Sequence, residues 1–267
     1  MIGPLLTSKV HAALRAGSAT VTCSLDLERS TTTVRVDAAG WSWRDVRYPF
    51  LGACRDRTIY RWTGTGFEPV SRYTTSLVKL VPTDWGPPTF EIDGIKMLPT
   101  AQLSPYEDAA NKVALIEPRG KVILDTCGGL GYFAAWCAQG GATQVLSYEK
   151  NPDVLWLRGL NPWSPQPDAT LTLVQGDITE QIAVLPDASV DAILHDPPRF
   201  GIAGELYAQA FYDQLARVLR RRGRLFHYTG TPNKLTSGRD VPAEVARRLR
   251  RAGFVTELVG DGVLARK

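Results

Sequence analysis

Cysteine and long apolar runs are both scarce in this chain of 267 residues, and each scarcity excludes a class of protein. The four cysteines form no Cys-x-x-Cys pair, which disfavours a disulfide framework or a zinc site and indicates a reducing cytoplasm. No stretch approaches the ~18 apolar residues of a membrane span, and residues 1–15 lack the pattern of a secretory signal. We therefore expect a cytoplasmic protein that uses neither a membrane nor a metal.

Long helical periodicity is missing from the first 100 residues. Apolar and polar residues alternate near 21–27 and 75–81, and two glycines at 64 and 66 mark a turn between short strands. A short helix over residues 8–16, ended by Gly17, is the only helix that this region predicts. We expect residues 1–100 to form a small, mostly β domain of ordinary size.

Arginines lie among tryptophans and tyrosines in this first region, and two interpretations are open. One is a platform for single-stranded nucleic acid, with arginines for phosphates and aromatic rings for bases. The other is a strand core with a solvated basic face, and the pattern alone favours it. The net charge of +4 permits a polyanionic partner without requiring one. The arginines are Arg44, Arg47, Arg55, Arg57, Arg61 and Arg72.

Strand and helix patterns alternate regularly from residue 101 onward. A Ser-Pro-Tyr-Glu sequence at 104–107 has the form of a helix start. Alternating units predict a parallel sheet, and residues 254–265 around a Gly-Asp-Gly turn predict a closing antiparallel hairpin. Residues 101–267 therefore have the layout of an α/β, Rossmann-like class I methyltransferase domain. The predicted strands cover 122–124, 144–148, 171–174, 190–194 and 224–228. Between and after them, helices are predicted over 132–138, 180–185, 204–219 and 243–251.

A glycine-rich loop and three acids predict a site for an adenosyl cofactor. The loop, residues 125–131, follows the first strand and opens a helix, where the backbone can approach a ligand closely. Glu149 ends the second strand, where an acid can hold ribose hydroxyls, and Asp177 ends the third, where it can accept from an adenine amine. Acids at successive strand ends are unexpected as surface decoration. The candidate cofactor residues are Asp125, Cys127, Gly129, Gly131, Glu149 and Asp177.

The fourth strand ends in Asp196, Pro197 and Pro198. Proline has no N–H and cannot continue a parallel ladder, so the pair stops the strand and stiffens its exit. A carboxylate and fixed carbonyl oxygens are acceptors without donors, and they suit a target that carries an amino group. We expect Asp196 and the Pro197 carbonyl to hold that amine against the cofactor.

With these motifs the chain resembles S-adenosyl-L-methionine-dependent methyltransferases. The Asp-Pro-Pro stretch is similar to the [Asp/Asn/Ser]-Pro-Pro-aromatic motif of enzymes that methylate exocyclic amines of adenine or cytosine, or glutamine side chains. In those families an aromatic residue stacks on the target. The motif here departs from that pattern, with Arg199 in the fourth position and Phe200 one place later. Either residue is a candidate for the stacking role.

The resemblance is closer to an archaeal-type family often labelled predicted methyltransferase or spermine synthase-like, and it covers nearly the full chain. It implies S-adenosyl-L-methionine as cofactor and the 4-amino group of a cytosine in ribosomal RNA as target. Cys127 stands where methyltransferases usually carry the first glycine, as a cofactor contact or as a small residue with a backbone role only. The shared segments are 125–132, 160–164, 195–200, 204–207, 223–228 and 238–240.

Several alternatives stay open at this stage. The chain could instead be an aminopropyltransferase related to spermidine synthase, a methyltransferase of small molecules or proteins, or a binding module without turnover. His195 could accept the amine proton or be a strand-end histidine held by a carbonyl, and His227 has the same ambiguity. The C-terminal arginines could follow phosphates or form solvated helix faces. Those arginines are Arg220, Arg221, Arg222, Arg224, Arg247, Arg248, Arg250 and Arg251.

Overall fold

The computed structural model describes residues 1–230 and 240–267. Two compact units make up this part of the chain. The first contains Met1–Glu107 with Gly159–Trp163, and the second contains Asp108–Arg158 with Ser164–Lys267. Gly238 and Arg239, which belong to one of the shared segments, lie outside the described residues.

The first unit opens with α1 (Pro4–Arg15), which begins four residues earlier than the sequence pattern predicts. Proline at the first helical position explains the difference, because its missing N–H would be unpaired there and its φ suits a helix. The helix buries Leu6, Val10 and Ala13 against the strands of its own unit.

Ten short strands follow in the first unit, all paired antiparallel within two four-stranded sheets and one hairpin. The predicted strand over 21–27 ends at Cys23, because the Ser24 hydroxyl accepts from the Asp26 and Glu28 N–H groups and turns the chain there. The first sheet contains β1 (Thr20–Cys23), β2 (Thr32–Asp37), β3 (Gly40–Trp43) and β4 (Val46–Tyr48). The hairpin contains β5 (Tyr60–Trp62) and β6 (Phe67–Pro69). The second sheet contains β7 (Ser71–Tyr73), β8 (Leu77–Val81), β9 (Thr89–Ile92) and β10 (Ile95–Lys96).

The second unit is built on a seven-stranded sheet with the order β13-β12-β11-β14-β15-β17-β16. The first five strands along the chain are parallel, and β17 enters antiparallel between β15 and β16. The predicted α/β fold with a terminal antiparallel hairpin is therefore confirmed. The strands are β11 (Val122–Asp125), β12 (Gln144–Glu149), β13 (Leu171–Gln175), β14 (Val190–His195), β15 (Leu219–Tyr228), β16 (Val255–Val259) and β17 (Gly262–Arg266).

Six further helices lie in the second part of the chain, and three differ from the predicted bounds by two residues or more. The helix predicted over 243–251 begins two residues earlier, at Val241, because the Asp240 side chain caps it. The predicted helix over 204–219 is a 3-10 turn, Gly204–Tyr207, followed by α6, because Ala208 between them has extended backbone angles. The helix predicted at 180–185 begins earlier, at Ile178, because the Asp177 side chain caps it. The helices are α2 (Pro105–Ile116), α3 (Tyr132–Gln139), α4 (Pro152–Leu160), α5 (Ile178–Gln181), α6 (Gln209–Val218) and α7 (Val241–Arg251).

Across residues 1–230 and 240–267, no helix is both long enough and apolar enough to cross a membrane.

Candidate active site

Four acids lie at the carboxyl ends of four neighbouring strands of the large sheet. Asp125 is the last residue of β11, and its register partners are Ser147 on β12 and Leu194 on β14. Glu149 and Asp196 each lie two residues beyond those partners, and Asp177 lies two residues beyond the partner of Glu149. In sheet order the acids are Asp177, Glu149, Asp125 and Asp196. The strand order reverses between β11 and β14, the place where ligands bind in sheets of this type.

Asp125 is fully buried and holds a charge-assisted hydrogen bond. Its Oδ2 accepts from the Ser147 hydroxyl at 2.8 Å, and that hydroxyl also accepts from Arg158 at 3.1 Å. Its Oδ1 has no hydrogen-bond partner in the described part of the chain. Burial raises the pKa of Asp125 to about 6, against the opposing effects of Ser147 and Arg158. A buried acceptor without a donor indicates room for a ligand group.

The loop after Asp125 is shaped by glycine. The Gly128 N–H donates to the Tyr148 carbonyl at 2.7 Å, and Gly131 has a φ of +82° where it caps α3. A side chain at Gly131 would begin 2.5 Å from the Arg158 guanidinium. Both the backbone conformation and this close approach require glycine at that position.

Arg158 was not predicted as a site residue, although the sequence carries a signal for it. It lies four residues after Val154 and one residue after Leu157 on α4, and this spacing places the arginine on the buried apolar face of the helix. Its side chain is buried beneath the glycine loop, and it interacts electrostatically with Asp125 and Glu149. It therefore offsets part of the negative charge that gathers at the strand ends.

Glu149 ties the glycine loop to the second strand. One carboxylate oxygen accepts from the Gly129 N–H at 2.9 Å, and the other accepts from the Asn151 N–H at 2.8 Å. Burial raises the pKa of Glu149 above its usual value, although these N–H donors favour the ionised form. Each oxygen retains a further lone pair, so the carboxylate can still accept from a hydroxyl group.

Asp177 has strong partners within the protein. One oxygen caps α5 by accepting from the Thr179 N–H at 2.9 Å and hydroxyl at 2.7 Å. The other forms an ion pair with Lys150 at 2.6 Å. These contacts hold the pKa of Asp177 below its usual value, although burial opposes them. A structural role is thus evident, and any contact with an adenine amine would use the remaining lone pairs.

Cys127 is a partly buried free thiol in the loop. Burial raises the pKa of this thiol far above its ordinary value, and the nearby Glu149 carboxylate adds to the effect. The side chain is therefore a neutral thiol rather than a nucleophilic thiolate. Its chemistry fits a packing contact.

Asp196 is partly buried just beyond the end of β14, and its carboxylate accepts no hydrogen bond from the described residues. Burial raises the pKa of Asp196 to about 6, opposed by Lys112 and reinforced by Asp108. Pro197 is buried and Pro198 is exposed, and the Tyr207 hydroxyl donates to the Pro198 carbonyl at 3.1 Å. The corner is therefore braced from its outer side, while the carboxylate remains open to a donor.

Phe200 is partly buried and packs edge to face on Tyr207, with ring centroids 5.4 Å apart. Arg199, the other stacking candidate, is exposed. Phe200 and Tyr207 line a half-open cavity of about 680 Å³ together with the first turns of α7, and none of the four strand-end acids is among its described lining residues. That volume is in the usual range for a ligand site.

His195 and His227 are both buried and both fully hydrogen-bonded. His195 Nε2 lies 3.1 Å from the Leu206 carbonyl, so this nitrogen carries the hydrogen, and Nδ1 accepts from the Thr126 hydroxyl at 2.7 Å. Burial lowers the pKa of His195 to about 4, and the pKa of His227 falls well below its usual value for the same reason. The histidines are neutral strand-end residues with no free lone pair for a substrate proton. The second of the two interpretations is correct for His195.

A lysine that the sequence gave no reason to select acts electrostatically on Asp196 from α2. Asp196 and Tyr228 each follow one of the paired strand-end histidines, so they lie at the same edge of the sheet, and the lysine lies over the Tyr228 ring. Lys112 on α2 is buried, and its Nζ is 2.6 Å from an Asp108 oxygen one helical turn earlier. The same ammonium lies 3.5 Å from the centre of the Tyr228 ring. Cations are rarely buried without such partners.

The basic residues of the C-terminal part are mostly paired or distant from the strand ends. Arg220 pairs with Asp191, Arg224 with Glu117, and Arg247 and Arg248 with Glu244. The 220–222 run lies at the start of β15, whereas the four acids lie at the carboxyl edge of the sheet. The 220–222 run is therefore remote from the strand-end acids, whereas Arg247 and Arg248, although paired with Glu244, line the cavity beside Phe200.

The arginines of the first unit also have acidic partners in several cases. Arg47 pairs with Asp37, Arg57 with Glu91, and Arg61 with Glu68. Arg44 instead lies over the Trp43 ring at 4.3 Å, and Trp41 and Tyr48 stack at 4.2 Å in the core. Most of this pattern is the strand core with a solvated face.

Among the described residues, no group of three or more His, Cys, Asp or Glu side chains is arranged to hold a metal ion.

Comparison with known proteins shows a fold shared with a solved structure of spermidine synthase, and similarity to two further proteins over part of the chain. An uncharacterized protein of Methanocaldococcus jannaschii is 45% identical over 179 residues, which span 66% of this chain and 61% of that protein. The crystal structure of spermidine synthase in complex with the transition-state analogue AdoDATO superposes with a TM-score of 0.62 and 15% identity, over 93% of this chain and 80% of that chain. An S-adenosylmethionine-dependent methyltransferase from Mesorhizobium loti aligns with 18% identity and a TM-score of 0.46, over 61% of this chain and all of that one. No family model matches the chain.

Proposed function

We propose that this protein is an S-adenosyl-L-methionine-dependent N-methyltransferase that acts on an exocyclic amine of a nucleobase, with the 4-amino group of a cytosine in ribosomal RNA as the first candidate. The observation that carries the proposal is the set of four acids at neighbouring strand ends, with Asp196 and Pro197 at the point where the strand order reverses. The motifs shared with the archaeal-type family support the choice of target.

The residues around the loop fit an adenosyl cofactor. The unpartnered Asp125 oxygen suits a donor of the cofactor, and Glu149 retains lone pairs for ribose hydroxyls. Asp177 is proposed to face the adenine, and Gly129, Gly131 and Cys127 to lie along the ligand. When bound, S-adenosyl-L-methionine supplies a methyl group on a positively charged sulfur.

Asp196 and the Pro197 carbonyl are proposed to accept the two N–H bonds of the target amine. An exocyclic amine is a weak nucleophile because its lone pair conjugates with the ring. Acceptors that hold both hydrogens turn the nitrogen toward tetrahedral geometry and aim its lone pair at the methyl group. With a pKa near 6, the Asp196 carboxylate can take one proton from the methylated nitrogen and release it to water.

Stacking on the target base is proposed for Phe200, which borders the cavity, or for the exposed Arg199. Residues 1–100 are proposed to help recognise the RNA, and the support for this is Arg44 over Trp43 at 4.3 Å.

The proposal is tested by incubating the protein with labelled S-adenosylmethionine and, in parallel, ribosomal RNA, DNA, polyamines and protein extract. We expect label in RNA, and we expect Asp196→Ala to lower transfer by about 10²–10³-fold, as when an oriented catalytic hydrogen bond is lost. Calorimetry should show that the variant still binds S-adenosylmethionine within a few-fold. Asp213→Ala, which changes an exposed acid on α6, is the matched control. Full turnover by the Asp196 variant would refute the amine-holding role.

An aminopropyltransferase is the second candidate, because the likeness to spermidine synthase extends over 93% of the chain. That function predicts transfer from decarboxylated S-adenosylmethionine to putrescine or spermidine and none to RNA. Label found in protein or in a small molecule would instead indicate another N-methyltransferase. Binding of RNA without heat from S-adenosylmethionine would indicate a module without turnover.

A further inference from the structure

We propose that Lys112 is a positioning and specificity residue for the acceptor amine: its ammonium occupies the cation site beside Asp196 and thereby selects a neutral amine over a polyamine. The inference rests on the proposed function of Asp196, and it names the chemical class of acceptor that the site admits.

The Lys112 ammonium is buried between an acid and aromatic rings. Lys112 is 6% exposed, its Nζ is 2.6 Å from the Asp108 carboxylate, and it lies 3.5 Å from the Tyr228 ring centre and 5.7 Å from that of Phe133. An acid on one side and aromatic faces on others form the surroundings that proteins use to bind amines. In this protein the Lys112 ammonium occupies the position that a bound amine would take.

The cluster of charged groups around Asp196 is negative. Lys112 and Asp108 are the charged groups that most affect the Asp196 carboxylate after burial, with opposite signs. Asp108, Asp196 and Lys112 together carry a net charge near −1, which complements a single sulfonium. A polyamine would bring two or more additional positive charges beside a buried lysine, and like charges at close range in a buried site repel strongly.

The other groups that face Asp196 do not alter this conclusion. Asp125 acts on Asp196 from the end of β11, and the buried Arg158 guanidinium offsets the charge of that Asp125 carboxylate. The Cys127 thiol and the Tyr228 hydroxyl are neutral. Arg199, in the same corner as Asp196, acts on Tyr228 from the exposed side. Lys112 is therefore the buried cation among the described groups that act on Asp196.

Two variants with opposite expected effects test the role without requiring turnover. Asp196 is followed by ¹³C NMR of its carboxyl carbon from pH 5 to 8, with Asp196→Asn to assign the signal. We expect Lys112→Met to raise the pKa of Asp196 by about 1 and Asp108→Asn to lower it, since each removes one neighbouring charge of known sign. Lys112→Arg, which retains the charge, should leave the pKa near the wild-type value.

A merely structural lysine would give no such pair of opposite shifts. If Lys112→Met does not fold, as judged by circular dichroism, Asp108→Asn alone decides the matter, because the pKa of Asp196 must then fall. An unchanged pKa in the folded variants would overturn the proposal.

Selectivity is measured with spermidine as the probe, by calorimetry on the protein saturated with S-adenosylhomocysteine. We expect Lys112→Met to bind spermidine at least about tenfold more tightly than the wild type does, the effect of one moderate charge interaction. Equal spermidine affinity in both proteins would overturn the selectivity role. Neither measurement needs a reaction. Failure of methyl transfer to RNA would therefore refute the proposed function, whereas the pKa and spermidine measurements would still test the role of Lys112.

Discussion

At the scale of single residues, the pKa values of two acids at the same edge of the sheet, Asp125 and Asp177, are shifted in opposite directions. Asp125 is buried, and burial raises its pKa to about 6. Asp177 has a helix cap and a lysine for partners, which lower its pKa. Ionisation of Asp125 therefore destabilises the folded protein, whereas ionisation of Asp177 stabilises it.

We predict that Asp125→Asn stabilises the unliganded protein at pH 8 and leaves it unchanged at pH 4. Because the pKa of Asp125 is higher in the folded than in the unfolded state, its contribution to stability is complete only below the unfolded-state pKa. The free energy of unfolding then falls as the pH rises toward 6, by about 3 kcal/mol at most. The loss of a carboxylate beside Arg158 reduces this gain. Urea denaturation at both pH values measures the effect.

The matched control is Asp177→Asn, which keeps an oxygen to cap α5 but loses the Lys150 pair. It should destabilise the protein at pH 8 by up to about 1 kcal/mol, because the pair is partly exposed, and the loss should vanish in acid. A loss of stability in Asp125→Asn at pH 8 would contradict the assignment of burial as the dominant cause.

The residues of the site were only partly accessible to sequence reasoning. Acids that directly follow apolar strands can be recognised in the sequence as site residues, because the carboxyl ends of parallel strands meet at one edge of the sheet. Arg158 and Lys112 do not, since they come from helices whose approach to that edge depends on tertiary packing. The apolar spacing of α4 still indicates that Arg158 is buried. Lys112 gives no such indication, because an i,i+4 pair with Asp108 is typical of an exposed helix surface.

At the scale of elements, the glycine loop between β11 and α3 has the most constrained conformation of the site. Two glycines in the described chain share nearly the same φ, +82° at Gly131 and +81° at Gly141, but differ in their surroundings. Gly131 faces Arg158, whereas the nearest atom to a side chain at Gly141 would lie 3.7 Å away. Comparing the two glycines therefore separates the cost of the left-handed backbone from the cost of the close approach to Arg158.

We predict that Gly131→Ala costs more stability than Gly141→Ala, by about 1–3 kcal/mol. Both variants suffer the left-handed backbone penalty, but only the first must displace a buried guanidinium. Urea denaturation gives the difference, and adding Arg158→Ala to each variant should narrow it. Equal losses in the two glycine variants would show that the arginine yields without cost.

Element bounds were the weaker part of the sequence prediction. Strand periodicity located all five parallel strands, because buried strands are short apolar runs with clear ends. The helix over 204–219 was wrong in its first turn, since nothing in the composition shows that Ala208 adopts an extended backbone. That break is dictated by the 3-10 turn, which carries the Leu206 carbonyl to His195.

At the scale of the whole molecule, the direction of the parallel strands divides the basic residues into two groups. Arg199 belongs to the corner after β14, at the carboxyl edge of the sheet. Arg221 and Arg222 lie near the start of β15, at the opposite edge. Net charge alone, +4 for the chain, does not distinguish them.

We predict that Arg199→Ala weakens RNA binding and makes it less sensitive to salt, because one phosphate or base contact at the site is lost. Arg221→Ala, an exposed arginine of the same charge, should change neither. Filter binding of ribosomal RNA between 50 and 200 mM salt, a range in which phosphate contacts are strongly screened, compares the two. Equal effects would indicate diffuse attraction to the whole surface.

The position of β17 has a consequence for synthesis of the protein. This strand, Gly262–Arg266, lies between β15 and β16, and residues 263–265 are buried. All five parallel strands, with the acids at their ends, are therefore translated before the hydrogen-bonding edge of β15 acquires its neighbour. Until residue 266 has left the ribosome, that edge is open to pairing with another nascent chain, and a stalled or shortened product would be prone to aggregate.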